Sequence, residues 1–369
     1  MATGAEVLIV GAGPAGIATA IAASQKGLRV TVADARRPPI DKACGEGLLP
    51  EGVSALRQLG IWLDSSNAYP IAGMRFSDEA SSACGRITRG AAFGLRRSVL
   101  HDLLVRRACE LGVSFRWGTR VSEINSDSAR LDGLRFPFHW LVGADGQKSI
   151  VRKWSGLGPR RVRSARFGFC CHFAVAPWSE FVEVYWGERC QIYVTPTGPD
   201  EVCLAVLSSD PQMRVASALR ESPAVATRLG SARRITDEIG SATVLDYPRS
   251  VAQRNIALVG DASFTVDGIT GQGLSLSFQQ ALSLGEALAS ENLGAYQLAH
   301  RQFIKEPARM ARLLLLLDRQ AWLRRKALRM FAANPKLFGR MISSHANCPK
   351  PAPIRASEMF DLGWQVLRA

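Results

Sequence analysis

The first forty residues constrain this chain most. An apolar run, Glu6 to Val10, meets Gly11-x-Gly13-x-x-Gly16, and an alanine-rich segment continues to about Lys26. Gly27 fits a helix cap, and residues 28–33 form a second apolar run that ends at Asp34. This order predicts a βαβ unit that binds a dinucleotide. Gly11 allows the tight turn, Gly13 lets backbone amides approach a pyrophosphate, and Gly16 lets helix and strand pack closely. Pro14 and Ala15 begin the helix, whose N-terminus adds partial positive charge toward the anion. Asp34, with Ala35 and Arg36 beside it, places a carboxylate where ribose hydroxyls are recognised. The glycine motif leaves NAD and FAD equally open.

The remaining chain must house the rest of an α/β unit. Its 369 residues allow about two domains, or one unit with an insertion. With 47% hydrophobic and 21% charged residues, it is not a disordered chain. The net charge of +14 leaves nucleic acid, a membrane surface and acidic ligands open. None of the eight cysteines forms a C-x-x-C pair, so no metal or iron–sulfur site is expected. The N-terminus has no basic region followed by a cleavage site. The longest uniform apolar run near the C-terminus, Leu313 to Leu317, is far short of the roughly twenty residues of a membrane span. A cytoplasmic protein is expected.

Two later glycine turns follow apolar runs. The first is Gly143-Ala-Asp145-Gly146 after Trp140 to Val142. The second is Gly260-Asp261 after residues 255–259, with Thr270-Gly271-Gln272-Gly273-Leu274 opening a helix to Ala289. A carboxylate after a buried strand suits a ribityl or ribose hydroxyl. A glycine turn at a helix N-terminus suits the anionic edge of a reduced flavin. Between them, residues 167–207 alternate as antiparallel strands. A chain that leaves its nucleotide unit and returns suggests an inserted substrate domain. The expected fold is α/β: a Rossmann-like FAD-binding domain (1–72, 93–160 and 250–300) with an inserted antiparallel β-sheet substrate domain (73–92 and 161–249). A basic helical segment, 301–369, follows.

Taken together, the three motifs resemble the FAD-binding set of the aromatic-hydroxylase monooxygenases and their relatives, the geranylgeranyl reductases. The resemblance spans about residues 5–300 and implies FAD. It implies that Arg97, in R-S-V-L-H-D-L-L, contacts the flavin, with Val121 also at the cofactor. It matches Asp145-Gly146 to the second motif and Gly260-Asp261 to the third. The segment Lys42-Ala-Cys44-Gly45-Glu-Gly47-Leu48 resembles the reductase branch, and some oxidoreductases encoded beside aromatic polyketide synthases. Cys44 and Gly45 then sit near the flavin, and Cys44 is the one candidate catalytic residue. There are departures: Ser263-Phe264 stand where hydroxylases carry histidine, Asp267-Gly268 where most members carry proline, and no W-x-W pair occurs.

The resemblance implies a monooxygenase that hydroxylates an electron-rich, lipophilic aromatic through a flavin C4a-hydroperoxide. NAD(P)H serves as a transient reductant, since no second G-x-G-x-x-G occurs. The alternatives are a flavin-dependent C=C reductase, favoured by Cys44, and a flavin protein without catalysis. His172 is the histidine best placed to face substrate. Residues 301–345 carry eleven Lys/Arg against Glu306 and Asp318. They are expected to pack mostly on the FAD domain, with a basic face left for weak contact with an anionic membrane. Nucleic acid is not an expected partner, because no recognition fold accompanies the charge.

Overall fold

The computed structural model describes residues 6–158, 165–244 and 248–345. Its first element is strand β1 (Glu6–Val10), followed by helix α1 (Pro14–Gln25) and strand β2 (Arg29–Asp34). Val7, Leu8 and Ile9 are fully buried, as a central parallel strand covered on both faces requires. Proline suits the first turn of α1, where its missing N–H has no partner to lose.

The first sheet has six strands, ordered Ala252–Gln253, Ile256–Leu258, Trp140–Gly143, β1, β2 and Ser114–Trp117. All neighbours are parallel except the edge strand Ala252–Gln253. This order brings the three motifs together. The turns after β1, Trp140–Gly143 and Ile256–Leu258 leave the same end of three adjacent strands. Ligands of open α/β sheets bind at such carboxyl ends.

The second sheet has eight strands and takes Gly73–Ser77 and Ser82–Arg86 from one excursion of the chain and the rest from 165–244. Its neighbours run antiparallel with one exception. Phe181–Trp186 lies parallel to Gly73–Ser77, because those two strands come from separate excursions and not from a hairpin. Side chains alternate between its faces. Ile192, Val194, Val202 and Leu204 pack under Met213, Ala218 and Val225. Tyr193, Cys203 and Ala205 face the other way.

The C-terminal arm differs from expectation. Ala308 and Ala311 pack on Phe264, Val266 and Leu276 beside the third motif, as expected. Further along, Leu328, Phe338 and Ile342 pack on Met74, Phe76 and Trp186 of the second sheet. The arm therefore packs on both the third-motif region and the second sheet. The run Leu313 to Leu317 divides by helical spacing: Leu314 and Leu317 join the second-sheet core, while Leu313 and Leu316 are exposed. Arg324 is buried and donates to the carbonyls of Leu317 and Asp318, so not all the basic residues form a solvated face. The predicted segment beyond residue 345 lies outside the described residues. No described helix is long and apolar enough to cross a membrane.

Candidate cofactor and substrate site

A cavity of about 710 Å³ lies where the motif turns meet the second sheet. Gly11, Gly13, Pro14, Ala15, Asp34, Ala35 and Arg36 line it from the first motif. Asp145, Gly146, Asp261, Gly271, Gly273 and Leu274 line it from the second and third. Cys44, Gly45, Arg97 and Val121 complete the anticipated set. Met74, Phe169, Val182, Tyr193 and Leu207 add an apolar wall from the second sheet, and Ile269 also lines the cavity.

Three anticipated residues stand behind the wall. Gly16 is a packing glycine, because a Cβ there would lie 2.0 Å from the Gly11 carbonyl oxygen. Gly260, at φ +62°, has Ala15 Cβ 2.6 Å from where its own Cβ would be, and its N–H donates to Gln280 Oε1 at 2.8 Å. Gln272 is buried and donates from Nε2 to the His345 carbonyl at 2.7 Å, tying the helix start to the C-terminal arm. The two glycines allow close backbone packing, and the Gln272 side chain serves the scaffold.

The cavity fits an extended dinucleotide. A Cβ built at Gly13, Gly45, Gly146, Gly271 or Gly273 meets no protein atom within 4 Å. All five glycines line the cavity, so the missing side chains leave a continuous backbone cradle. The acids are arranged differently from one another. Asp34 accepts from the N–H groups of Ala12 and Arg36, each at 2.8 Å, and so holds the glycine turn closed. Asp145 accepts from Ser149 Oγ at 2.5 Å and from the N–H groups of Ile150 and Val151. It thereby organises the start of the short helix Ile150–Trp154, and burial pushes its carboxyl above the usual range. Asp261 pairs instead with Lys42, Nζ to Oδ2 at 2.7 Å. Asp261→Ala is expected to weaken FAD binding about ten- to hundredfold while the fold survives, since charge-assisted hydrogen bonds contribute about 1.5–3 kcal/mol. Flavin titration of the apoprotein measures it, and an unchanged Kd would show that Asp261 does not touch the cofactor.

The loop bearing Cys44 holds the residue that sequence reasoning left without a role. Glu46 is buried at φ +57°. Its Oε1 accepts from the Arg97 N–H at 2.8 Å, and its Oε2 lies 2.6 Å from His172 Nε2. His172, the one histidine that could have faced substrate, does not line the cavity; it is packed and buried against Glu46, with Nδ1 3.0 Å from Thr236 Oγ1. Burial alone would lower its pKa, but the hydrogen bond and charge of Glu46 outweigh that and raise it. A carboxylate set between two glycines in an apolar loop was the available signal. Glu46, His172 and Cys203 also bring ligand-type atoms within 4.8 Å of one another, but the direct hydrogen bond already occupies the carboxylate and imidazole.

Cys44 lines the cavity with a thiol that burial pushes up, against the opposing charge of Arg97. It is therefore held as the neutral thiol. Tyr193 lines the cavity too and donates to Gln191 Oε1 at 2.8 Å. Burial raises its pKa well beyond the ordinary tyrosine range, so the hydroxyl stays protonated.

Residues 4–299 match the FAD binding domain family. The chain belongs to that family. It is an FAD-dependent oxidoreductase. The menaquinone reductase of Mycolicibacterium smegmatis is 28% identical over 366 residues, covering 86% of each chain. The rifampicin monooxygenase of Rhodococcus hoagii is 26% identical over 326 residues, covering 78% of this chain and 64% of that protein. In fold, this flavoprotein is similar to a flavin-dependent brominase, with a TM-score of 0.81, 20% identity and 99% of each chain covered.

Proposed function

We propose that this flavoenzyme is an NAD(P)H-dependent monooxygenase acting on an electron-rich, lipophilic aromatic. The observation that carries the reading is the apolar wall of Met74, Phe169, Val182 and Leu207 that the second sheet adds to the cavity. Residues 1–72, 93–160 and 250–300 form the cofactor part, and 73–92 and 161–249 the substrate part. Bound FAD supplies two-electron redox chemistry between NAD(P)H and O₂. The balance is substrate–H, O₂, NAD(P)H and H⁺ giving substrate–OH, water and NAD(P)⁺.

The chain's own residues bind, orient and exclude water. Gly11 and Gly13 would present the start of α1 to the pyrophosphate of bound FAD, and Asp34 and Arg36 would hold its ribose end. Gly271 and Gly273 open the helix Gly273–Ala289 toward the cavity, where its positive end favours an anionic ring edge. Tyr193 adds its ring to the wall, while its hydroxyl proton is committed to Gln191 Oε1. Oxygen uptake with NAD(P)H and added phenols tests the reading. Substrate-dependent uptake with a hydroxylated product supports it; NAD(P)H oxidation that proceeds equally without oxygen overturns it.

A second reading, reduction of a C=C bond, is favoured by the neutral Cys44 thiol in the cavity and by similarity to a menaquinone reductase. Anaerobic saturation of a prenyl chain would establish it in place of hydroxylation.

Lipophilic substrate also suits the arm. Leu313, Leu316 and Trp322 are exposed, and so are Arg312, Arg319, Arg325 and Arg329. Each such charge adds about 1 kcal/mol near an anionic bilayer. The protein is expected to co-sediment weakly with anionic vesicles at low salt, less at high salt and not with neutral ones. Equal, negligible pelleting in all cases would leave the arm purely structural.

A further inference from the structure

We propose that Glu46 and His172 are positioning residues of a latch that holds the Cys44-Gly45-Glu46 segment on the cavity wall and ties it to the second sheet. The decisive observation is a row across three adjacent strands. His172 pairs in register with Cys203, and Cys203 with Thr195. Each member of the row reaches one residue of the loop. His172 Nε2 meets Glu46 Oε2 at 2.6 Å, Thr195 Oγ1 donates to the Gly45 carbonyl at 2.7 Å, and Cys203 Sγ donates to the Cys44 carbonyl at 3.7 Å. Three consecutive loop residues are thus held by one cross-strand row.

The Glu46–His172 contact is the shortest of these ties. Glu46 adopts φ +57°, a backbone region that side chains rarely enter, although glycines flank it on both sides. Its carboxylate is buried, which is costly unless its partners are well placed. They are: the Arg97 N–H donates to one oxygen and His172 meets the other. The Glu46 carbonyl also accepts from the Leu95 N–H at 3.1 Å. Glu46 therefore joins the start of the Arg97–Glu110 helix to the second sheet. Thr236 Oγ1 holds the far side of the imidazole, in contact with Nδ1 and the His172 N–H. On the same strand as His172, Gly168 and Phe169 line the cavity. Contact of substrate with that strand is mechanically linked to the loop beside the cofactor. The latch requires the FAD-bearing cavity but not hydroxylation in particular, so its test does not read the reaction.

The test measures alkylation of Cys44 by iodoacetamide at fixed pH, with FAD in saturating excess and peptide mapping to separate the cysteines. The exposed Cys109 serves as the internal reference. His172→Ala is expected to raise Cys44 alkylation about tenfold, as a local opening would. FAD affinity falls alongside, with Cys109 unchanged, and His172→Gln restores both toward the parent by keeping a donor to Glu46. Electrostatics alone predicts the opposite direction, because an unpaired Glu46 charge would raise the thiol pKa and slow alkylation. Unchanged or slower alkylation in His172→Ala, with unchanged FAD affinity, overturns the latch. If His172→Ala does not fold, Thr195→Val removes a single donor and carries the test. Raised Cys44 reactivity then supports the latch, and parent-like reactivity and FAD affinity overturn it.

Discussion

Gly13→Val is expected to give a folded, colourless protein. Gly13 caps α1 with φ −73° and ψ 173°, an extended conformation open to any residue. A Cβ at this position meets no protein atom within 4 Å, so the apoprotein has no reason to distort. The space it would fill belongs to the cavity, at the place where backbone amides and the helix N-terminus would face a pyrophosphate. Losing two charge-assisted hydrogen bonds, each contributing about 1.5–3 kcal/mol, lowers affinity by roughly a hundred- to ten-thousandfold. Gly16→Ala in the same motif should fail for a different reason. Its added methyl would lie 2.0 Å from the Gly11 carbonyl oxygen, so the fold itself suffers. Circular dichroism and thermal melting of the apoprotein, with flavin titration by absorbance, separate the two. A Gly13→Val protein that is yellow with parental affinity would remove the glycine turn from the pyrophosphate site.

That contrast shows where sequence reading succeeds. The glycine turn, its strand and its helix are local, and their chemistry is written within thirty residues. The parallel order of β1, β2 and Trp140–Gly143 then follows from βαβ topology, so Asp145 and Asp261 fall beside the first turn. What the sequence hides is long-range pairing. Lys42 and Asp261 are 219 positions apart, and Glu46 and His172 are 126 apart. No pattern in either segment announces its partner, because the partner is set by how two sheets face each other. Whether His172 faces substrate or packs was open for the same reason: strand alternation gives its face, but not which loop covers that face. Gly260 and Gln272 show a related limit. A motif identifies a turn, while packing against Ala15 and His345 decides which of its residues point inward.

His300 is expected to make the protein acid-labile. It is 2% exposed, and burial pushes its pKa down to about 4. Its Nε2 lies 3.0 Å from Ser263 Oγ, which donates to the Gly260 carbonyl at 2.9 Å, so the ring sits behind the third motif. In the unfolded chain the group returns to about 6.5 and binds a proton more readily than in the fold. Its contribution is therefore fully present above about pH 6.5 and is lost as pH falls toward 4. At 1.36 kcal/mol per pH unit, the loss at pH 5 is about 2 kcal/mol. His172, whose pKa is raised, runs the other way: its contribution is present at acid pH and fades as pH rises. A single substitution isolates the first effect. Urea unfolding of the parent and of His300→Gln, at pH 7.5 and at pH 5 with equal FAD, is the measurement. Glutamine keeps a polar group near Ser263 but takes no proton, so the variant should lose about 2 kcal/mol less than the parent between the two pH values. Equal losses in both proteins would mean that His300 binds its proton as easily in the fold as out of it. The acid sensitivity would then have to come from carboxylates or from His101 and His345, whose pKa values burial also lowers.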